Sequence, residues 1–334
     1  MIVDDSVVIR RLLTEALSAD PDVDVVATAA NGQLALGKLD SARPDVIVLD
    51  VEMPVLDGLG TLREIRKLDR RLPIIMFSTL TERGARITIE ALASGASDYV
   101  TKPANVGSIN ESREAVRTQL LPRVRALAGA PATNRGEPAR PPMARPSSAP
   151  AAAATARVPV AAVPATGGVP RLLAIGSSTG GPEALSRFLP MLPATLPVPV
   201  VITQHMPPVF TTMLADRLDR GCALAVREAV DGEPLQPGSV YLAPGDFHLE
   251  VRVEQRTRYY AALTKAPPEN FCRPSVDVLF RSAVQAYGGG VLGVVLTGMG
   301  SDGRDGSRLI VGAGGQVLAQ DEQSSVVWGM PGAV

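Results

Sequence analysis

The chain has 334 residues, a formal net charge of −1 and a hydrophobic fraction of 46%. Because domains usually hold roughly 100–200 residues, this length favours two domains with connecting sequence. The balanced charge lacks the basic excess of nucleic-acid-binding proteins, so we expect no nucleic-acid partner. The two cysteines, Cys222 and Cys272, lack the paired spacing of a zinc site and are expected in the core. The N-terminus carries acidic residues where a signal peptide carries positive charge, and no run approaches the roughly 20 apolar residues of a membrane span. These two features predict a cytoplasmic protein without direct membrane insertion.

Short β-branched runs alternate with amphipathic helical patterns over residues 1–120, and again over 169–334. Strand–helix alternation of this kind predicts an α/β protein in which each domain has a doubly wound, mostly parallel sheet. The predicted strands are Met1–Val3, Val23–Ala29, Asp45–Leu49, Pro73–Phe77, Asp98–Val100, Leu172–Gly176, Val198–Thr203, Ser239–Ala243, Val291–Thr297 and Gln316–Ala319.

The segment 121–168 separates the two halves and differs from them in composition. It is rich in proline and alanine and contains a single acid, Glu137. A segment of this composition buries too little apolar surface to offset its chain entropy. We therefore expect a disordered linker between the domains.

Charged and polar side chains end the strands of the first half, at the edge where parallel strands converge on one crevice. Asp4 and Asp5 follow the first strand, Asp50 the third, Ser78 the fourth and Lys102 the fifth. Carboxylates brought together there repel one another unless a cation such as Mg²⁺ neutralises them. A central Asp50 between Mg²⁺ and an ammonium group is suited to attack phosphorus. The alternative is that these acids only solvate loop ends, and their occurrence as a set disfavours it.

Over residues 1–118 the sequence resembles response-regulator receiver domains. The resemblance is carried by the motifs V-D-D-S, L-D-V-E-M-P-V-L-D-G and V-T-K-P. The resemblance implies a flavodoxin-like (βα)5 domain with Asp50 as phosphoacceptor and a histidine kinase as phosphodonor. It implies further roles at the same edge: Mg²⁺ binding by Asp4, Asp5, Asp50 and the backbone carbonyl of Glu52, a switch pair of Ser78 and Tyr99, and a phosphoryl contact by Lys102. Receivers carry several more residues before the acidic pair, so we expect a clipped N-terminus.

A tight turn follows the strand Leu172–Gly176 and precedes a helical pattern. Gly176, Ser178 and Gly180 form G-x-S-x-G, the spacing that exposes a serine hydroxyl on a sharp strand-to-helix turn. A phosphate-binding loop is the competing interpretation, but the lysine of a P-loop is missing and the glycines lack G-x-G-x-x-G spacing. We therefore favour Ser178 as a nucleophile.

A nucleophilic serine needs a base, and the chain has two histidines. His205 ends a predicted strand at the edge that carries Ser178, whereas His248 lies in a predicted hairpin or loop, so His205 is favoured. Asp302 follows the apolar strand 291–297 and is the predicted carboxylate that orients the histidine. Asp305 is the alternative, with helix capping as its other role.

Glycines near the predicted nucleophile allow close approach of backbone N–H groups. The amides near Met299 and Thr179 are therefore the predicted oxyanion donors.

Over residues 170–334 the sequence resembles the catalytic domain of chemotaxis protein-glutamate methylesterases. The resemblance is carried by the motifs A-I-G-S-S-T-G-G-P-E-A, I-T-Q-H-M-P-P, Y-L-A-P-G-D, R-P-S-V-D-V-L-F and L-T-G-M-G-S-D-G. The resemblance implies catalysis by Ser178, His205 and Asp302 without a cofactor. Its implied substrates are methyl-esterified glutamates on the helices of methyl-accepting chemoreceptors, with conversion of receptor glutamines to glutamate as a second activity. The family continues beyond the position of Val334, so we expect a clipped C-terminus.

Two domains in one chain suggest regulation. We expect the unphosphorylated receiver to cover the Ser178 cleft and phosphorylation of Asp50 to favour an uncovered state. A non-catalytic receiver-containing interaction protein is the alternative, and the Ser178, His205 and Asp302 set argues against it. A transcriptional regulator would need a basic helix-turn-helix, which the Gly-rich second half does not resemble.

Overall fold

The structure is a computed structural model that describes residues 1–103, 109–129, 168–255 and 257–334. It confirms the predicted α/β class, with one parallel sheet in each half of the chain. Most of the predicted linker, residues 130–167, lies outside the described residues. None of the helices in the described ranges is both long and apolar enough to span a membrane.

The first domain is built around a parallel sheet whose middle strands are buried on both faces, as their continuous apolar sequence predicts. Its strands are β1 (Ile2–Val3), β2 (Thr28–Ala29), β3 (Ile47–Asp50), β4 (Ile74–Ser78) and β5 (Asp98–Thr101). Its helices are α1 (Val7–Ser18), α2 (Gly32–Leu36), α3 (Leu39–Ala42), α4 (Gly58–Leu68), α5 (Glu82–Ala93), α6 (Ile109–Gln119) and α7 (Leu121–Ala128). The strand order β2-β1-β3-β4-β5 brings the ends of β1, β3 and β5 to one edge.

The prediction for the second strand, Val23–Ala29, is too long. The observed β2 contains only Thr28 and Ala29, which pair with Ile2 and Val3 of β1. A strand at the sheet edge extends only as far as its neighbour, and β1 itself is two residues long. The residues before Thr28 therefore lack a paired backbone along most of their length.

Helix α7 corrects the predicted start of the linker at residue 121. Leu121, Val124 and Leu127 are buried in the apolar cluster that also contains Leu13 and Phe77. Their three-residue spacing places them on one side of a helix, which packs against the first domain. Composition averaged over 121–168 hides this short periodic segment.

The second domain contains a six-stranded parallel sheet in the order β13-β12-β6-β7-β9-β8 and a separate antiparallel hairpin of β10 and β11. The strands are β6 (Leu172–Ser177), β7 (Val200–Gln204), β8 (Ala225–Glu228), β9 (Ser239–Leu242), β10 (His248–Glu254), β11 (Arg258–Thr264), β12 (Val291–Val295) and β13 (Gln316–Ala319). The helices are α8 (Gly181–Phe188), α9 (Phe210–Gly221), α10 (Val276–Tyr287), α11 (Arg304–Gly312) and α12 (Met330–Ala333).

The predicted strands do not include β8, β10 or β11, although a hairpin was one of the two structures predicted around His248. β8 is an edge strand with one buried residue, and the outer half of the hairpin is charged and exposed. Neither segment has the apolar run of a central strand, because neither is covered on both faces.

The register of the central strands determines where the functional residues lie. Ser177 of β6 pairs with Gln204 of β7, so Ser178 and His205 each follow directly after a paired residue. Gly176 also pairs with Val295 of β12, which brings the loop after β12 to the same edge.

The two domains are in contact through α5 of the first and α8 and α9 of the second. The ring of Tyr99 stacks on that of Phe210, with centroids 4.7 Å apart and planes 13° from parallel. Next to this stack, the Thr179 hydroxyl donates to Asp98 Oδ2 at 2.6 Å. Strand β5 of the first domain therefore contacts the turn that follows Ser178.

Candidate phosphoacceptor site and candidate catalytic site

Three carboxylates meet at the carboxyl edge of the first sheet. Oxygens of Asp4, Asp5 and Asp50 lie within 4.8 Å of one another. Asp4 and Asp50 are buried and Asp5 is exposed, so the cluster is open on one side. Hard oxygen ligands with room for water fit octahedral Mg²⁺, which would be held by these residues.

Lys102 reaches the same cluster from the end of β5. Its Nζ lies 2.8 Å from Asp50 Oδ1 and 2.9 Å from Asp4 Oδ2. Burial raises the pKa of Asp50 to about 6, against the opposing effect of Lys102. Burial alone would lower the pKa of Lys102, but its hydrogen bonds to Asp50 and Asp4 outweigh burial and raise this pKa. The ammonium is therefore charged and adjacent to the oxygens of Asp50.

The remaining predicted residues of this edge have different surroundings. Ser78 is fully buried, and its hydroxyl donates to the Thr79 carbonyl at 3.2 Å. The Glu52 side chain pairs with Arg83 at 3.1 Å, while its backbone N–H donates to Asp50 Oδ1 at 3.4 Å. Tyr99 is buried against the second domain, and this burial raises its pKa well above the usual value.

The turn after β6 exposes Ser178. Gly180 has φ +78°, and a Cβ atom there would lie 2.6 Å from the Val326 side chain, so the turn requires glycine. The Ser178 backbone is fixed by its N–H, which donates to Thr297, and by its carbonyl, which accepts from Gln204 Nε2 at 2.9 Å. Within the described ranges the half-buried Ser178 hydroxyl makes no hydrogen bond and is free to meet a ligand.

The structure brings His205 and Asp302 together. His205 Nε2 lies 2.7 Å from Asp302 Oδ2. His248, by contrast, is fully buried at the start of β10, where its Nδ1 accepts from the Ser275 N–H at 3.2 Å. Asp305 is an exposed residue of α11 that pairs with two arginines of its own helix turn. Of the alternatives in the sequence, His205 and Asp302 are thus the pair that geometry selects.

Asp302 is held at the N-terminus of α10, where backbone N–H groups favour a carboxylate. Its remaining donors are Asn270 Nδ2 (2.9 Å), Ser275 Oγ (2.9 Å) and the N–H groups of Val276 (2.7 Å), Asp277 (3.0 Å) and Gly303 (3.1 Å). Burial opposes ionisation, but His205 and these donors hold the pKa of Asp302 well below its usual range. The carboxylate is therefore ionised and fixed in orientation.

His205 has an unusual pKa because of this pair. Burial lowers it, but the hydrogen bonds to Asp302 and Cys272 outweigh burial and raise the pKa of His205 to about 9. The Cys272 sulfur lies 3.5 Å from His205 Nδ1 and is half-buried, so the prediction of a core cysteine is wrong. Its place just before the R-P-S-V-D motif, which supplies donors to Asp302, is the sequence signal for this role.

Two backbone N–H groups close to Ser178 are without a hydrogen-bond partner among the described residues. In the described part of the chain, neither the Thr179 nor the Met299 N–H donates a hydrogen bond. The loop that carries Met299 packs on the turn with Ser178, since a Cβ atom on Gly298 would lie 2.9 Å from Ser178 Cβ. Both amides are therefore free to donate to an oxygen at Ser178.

These features define a response-regulator receiver joined to an α/β domain with a serine, histidine and aspartate at one sheet edge. The model of the family described as "Response regulator receiver domain" matches residues 1–113, and that of "CheB methylesterase" matches residues 173–334. The chain therefore belongs, with the relatives described next, to the protein-glutamate methylesterase/protein-glutamine glutaminase family.

A protein-glutamate methylesterase/protein-glutamine glutaminase of Nocardioides is 56% identical over 337 residues, covering 100% of this chain and 88% of the relative. One from Trichodesmium erythraeum is 46% identical, covering 100% and 92%. The crystal structure of the Thermotoga maritima CheB methylesterase catalytic domain is 44% identical, covers 50% of this chain and 88% of the other, and has a TM-score of 0.49. The alternative of a non-catalytic interaction protein finds no support among these relatives.

Proposed function

We propose that this protein is a phosphorylation-activated serine hydrolase of chemotactic adaptation. Its substrates are glutamate methyl esters on methyl-accepting chemoreceptors, and specific receptor glutamines, which it deamidates to glutamate. A histidine kinase supplies the phosphoryl group, and the protein works in the cytoplasm. The observation that carries the proposal is the His205–Asp302 pair at 2.7 Å, at the sheet edge that also carries the turn with Ser178.

Ser178 is the nucleophile of the proposed reaction. The base is the neutral form of His205, whose share grows as pH rises toward about 9. With the Nε2 proton of this form directed to Asp302, Nδ1 accepts the Ser178 proton as Oγ attacks the ester carbonyl. The tetrahedral intermediate collapses, its C–O bond breaks, and methanol leaves with the proton from Nδ1. Water then attacks the acyl-enzyme, gives a proton to Nδ1 and releases the glutamate carboxyl group with Ser178 restored.

The same sequence of steps deamidates a glutamine. The tetrahedral intermediate expels ammonia instead of methanol, and both paths share one acyl-enzyme. The N–H groups of Thr179 and Met299 are proposed to stabilise the oxyanion in both cases, because neither has another partner in the part of the chain that the structure describes. The elevated pKa of His205 suits it to deliver a proton to the departing group.

The first domain is proposed to restrain the second. In the structure the Asp98 carboxylate holds the Thr179 hydroxyl, and the Tyr99–Phe210 stack lies beside it. Phosphorylation of Asp50, with Mg²⁺ held by Asp4, Asp5 and the Glu52 carbonyl, would add charge next to Lys102 and rearrange the end of β5. Because Lys102 directly follows the four-residue strand β5 and Asp98 and Tyr99 begin it, this change would be transmitted along the strand to the contact with Thr179. Ser78 completes the proposed switch with Tyr99.

The test of the nucleophile is Ser178→Ala in the full chain, assayed by methanol release from methylated receptor. Loss of the nucleophile should lower the rate by at least about 10³-fold. Ser301→Ala is the matched control, because Ser301 is an exposed serine next to Asp302 and should retain the parent rate within about twofold. Parent-level methanol release by Ser178→Ala would exclude the proposed mechanism.

A further inference from the structure

The side chain of Phe271 is fully exposed to solvent, at 103% of its reference area. It borders the cleft between the two domains, together with His205 and Met206. The receiver leaves it uncovered even though the domains are in contact. A large apolar side chain in water at the rim of a proposed active site has no role in the core.

The backbone at this residue is also in an unfavourable conformation. Glu269 and Cys272 exchange backbone hydrogen bonds at 2.9 and 3.1 Å, which closes a two-residue turn. Both central residues are left-handed, Asn270 with φ +54° and Phe271 with φ +63°. Asparagine suits the first position, whereas glycine is the usual residue at the second because a Cβ atom is strained there. Phenylalanine at this position costs conformational energy and exposes apolar surface at the same time.

The turn is fixed to the proposed catalytic residues. The Asn270 amide donates to Asp302 and to Asp277, each at 2.9 Å. The flanking Glu269 carboxylate forms two hydrogen bonds with Arg281, at 2.7 and 3.0 Å. On the other side, Cys272 contacts His205. The Phe271 ring is therefore presented from a rigid turn next to the base.

We infer that Phe271 is a specificity-determining residue that binds the receptor helix beside the esterified glutamate. The inference rests on the proposed function, because the occupant is the proposed substrate. On an α-helix, residues three and four positions from the glutamate share its face, and an apolar side chain there would pack on the ring. A rigid aromatic group anchors such a contact at low entropic cost.

The experiment compares two substrates with the full chain, activated by acetyl phosphate and Mg²⁺. The first is a soluble, methyl-esterified cytoplasmic fragment of a chemoreceptor, and the second is the γ-methyl ester of N-acetylglutamate. Phe271→Ala should raise KM for the receptor fragment about tenfold and leave its kcat within twofold. The kcat/KM for the small ester should not change. Phe271→Leu should recover most of the affinity.

Two variants separate binding from folding. Phe271→Gly relieves the left-handed strain, so it should raise Tm while weakening receptor binding as Phe271→Ala does. Met191→Ala removes another exposed apolar side chain of the same domain and should leave both substrates unaffected.

An unchanged KM for the receptor fragment in Phe271→Ala would overturn the inference, as would an equal loss with the small ester. In each case the proposed function survives if the parent releases methanol and Ser178→Ala does not. Failure of the parent chain to demethylate either substrate would instead reject the proposed function.

Discussion

Asp302→Asn tests the electrostatic part of the proposed catalytic site. The substitution preserves the size of the side chain and removes its charge. In the parent, the Asp302 carboxylate accepts from backbone N–H groups and contacts His205 Nε2 at 2.7 Å. An asparagine amide group would turn N–H bonds toward some of these donors. The variant therefore disturbs both the protonation of the imidazole and the hydrogen bonds that fix the loop to α10.

The magnitude follows from the pKa of His205. The ordinary value is 6.5, and the hydrogen bond to Asp302 is the largest effect that raises it to about 9. The difference between these two pKa values, about 2.5, corresponds to about 3 kcal/mol in favour of the imidazolium. Without the carboxylate, only the contact with Cys272 is left to oppose the effect of burial, so the pKa of His205 should fall by about 2. The esterase rate should fall about 10⁴-fold, because the wrong tautomer is then stabilised.

The assay is an NMR titration of the imidazole groups, which is simple because the chain contains two histidines. His248→Gln assigns the second signal, and methanol release from methylated receptor measures the rate. Asp305→Asn is the matched control. It removes the same charge from an exposed position three residues away, so it should shift the pKa of His205 little and retain activity. A His205 pKa in Asp302→Asn within half a unit of the parent value would show that Asp302 does not control the protonation of His205.

The raised pKa of His205 also predicts how stability depends on pH. The contribution of protonated His205 to the free energy of unfolding should be complete below pH 6.5 and should be lost, by up to about 3 kcal/mol, as pH rises through about 9. Urea unfolding of the parent and of Asp302→Asn at pH 6.5 and 10 would measure this loss. Asp98→Ala removes the 2.6 Å hydrogen bond to Thr179 and should raise the esterase rate of the unphosphorylated protein about tenfold. The control Asp40→Ala, at an exposed site, should leave this rate unchanged, and equal rates in the two variants would argue against restraint through the Asp98–Thr179 contact. Chelation of Mg²⁺ should abolish the activation by acetyl phosphate and leave the basal esterase rate unchanged, and Asp50→Ala should have the same two effects. Activation that persists after chelation would contradict the proposed role of the metal.

Strand-end reasoning succeeded where the sheet is parallel and its strands are apolar. Asp4, Asp50 and Lys102 each follow such a strand, and their convergence required only that the strands run in one direction. His205 could be separated from His248 on the same ground, because only one of them ends a strand of the main sheet. The reasoning was weaker at sheet edges, where neither β2 nor β8 has a continuous apolar run.

No pattern in the sequence predicted the contacts that distant loops and the other domain make with the proposed catalytic site. Asn270 and Cys272 come from a turn before α10, and Asp98 comes from the other domain, yet all three touch residues of the proposed catalytic site. Their side chains meet the site because of how the elements pack, and spacing along the chain carries no record of that packing. The exposure and left-handed backbone of Phe271 are likewise visible only in three dimensions.

Local sequence patterns were sufficient to predict the α/β class, the edge at which polar residues collect and the G-x-S-x-G turn after β6, because periodicity, strand direction and motif spacing are local properties of the chain. Tertiary structure alone decided which ring nitrogen of His205 faces Asp302 and that Asp98 reaches Thr179. Both depend on side-chain orientation across elements far apart in sequence. At that separation, packing and hydrogen bonding select one arrangement from many that the same local pattern allows.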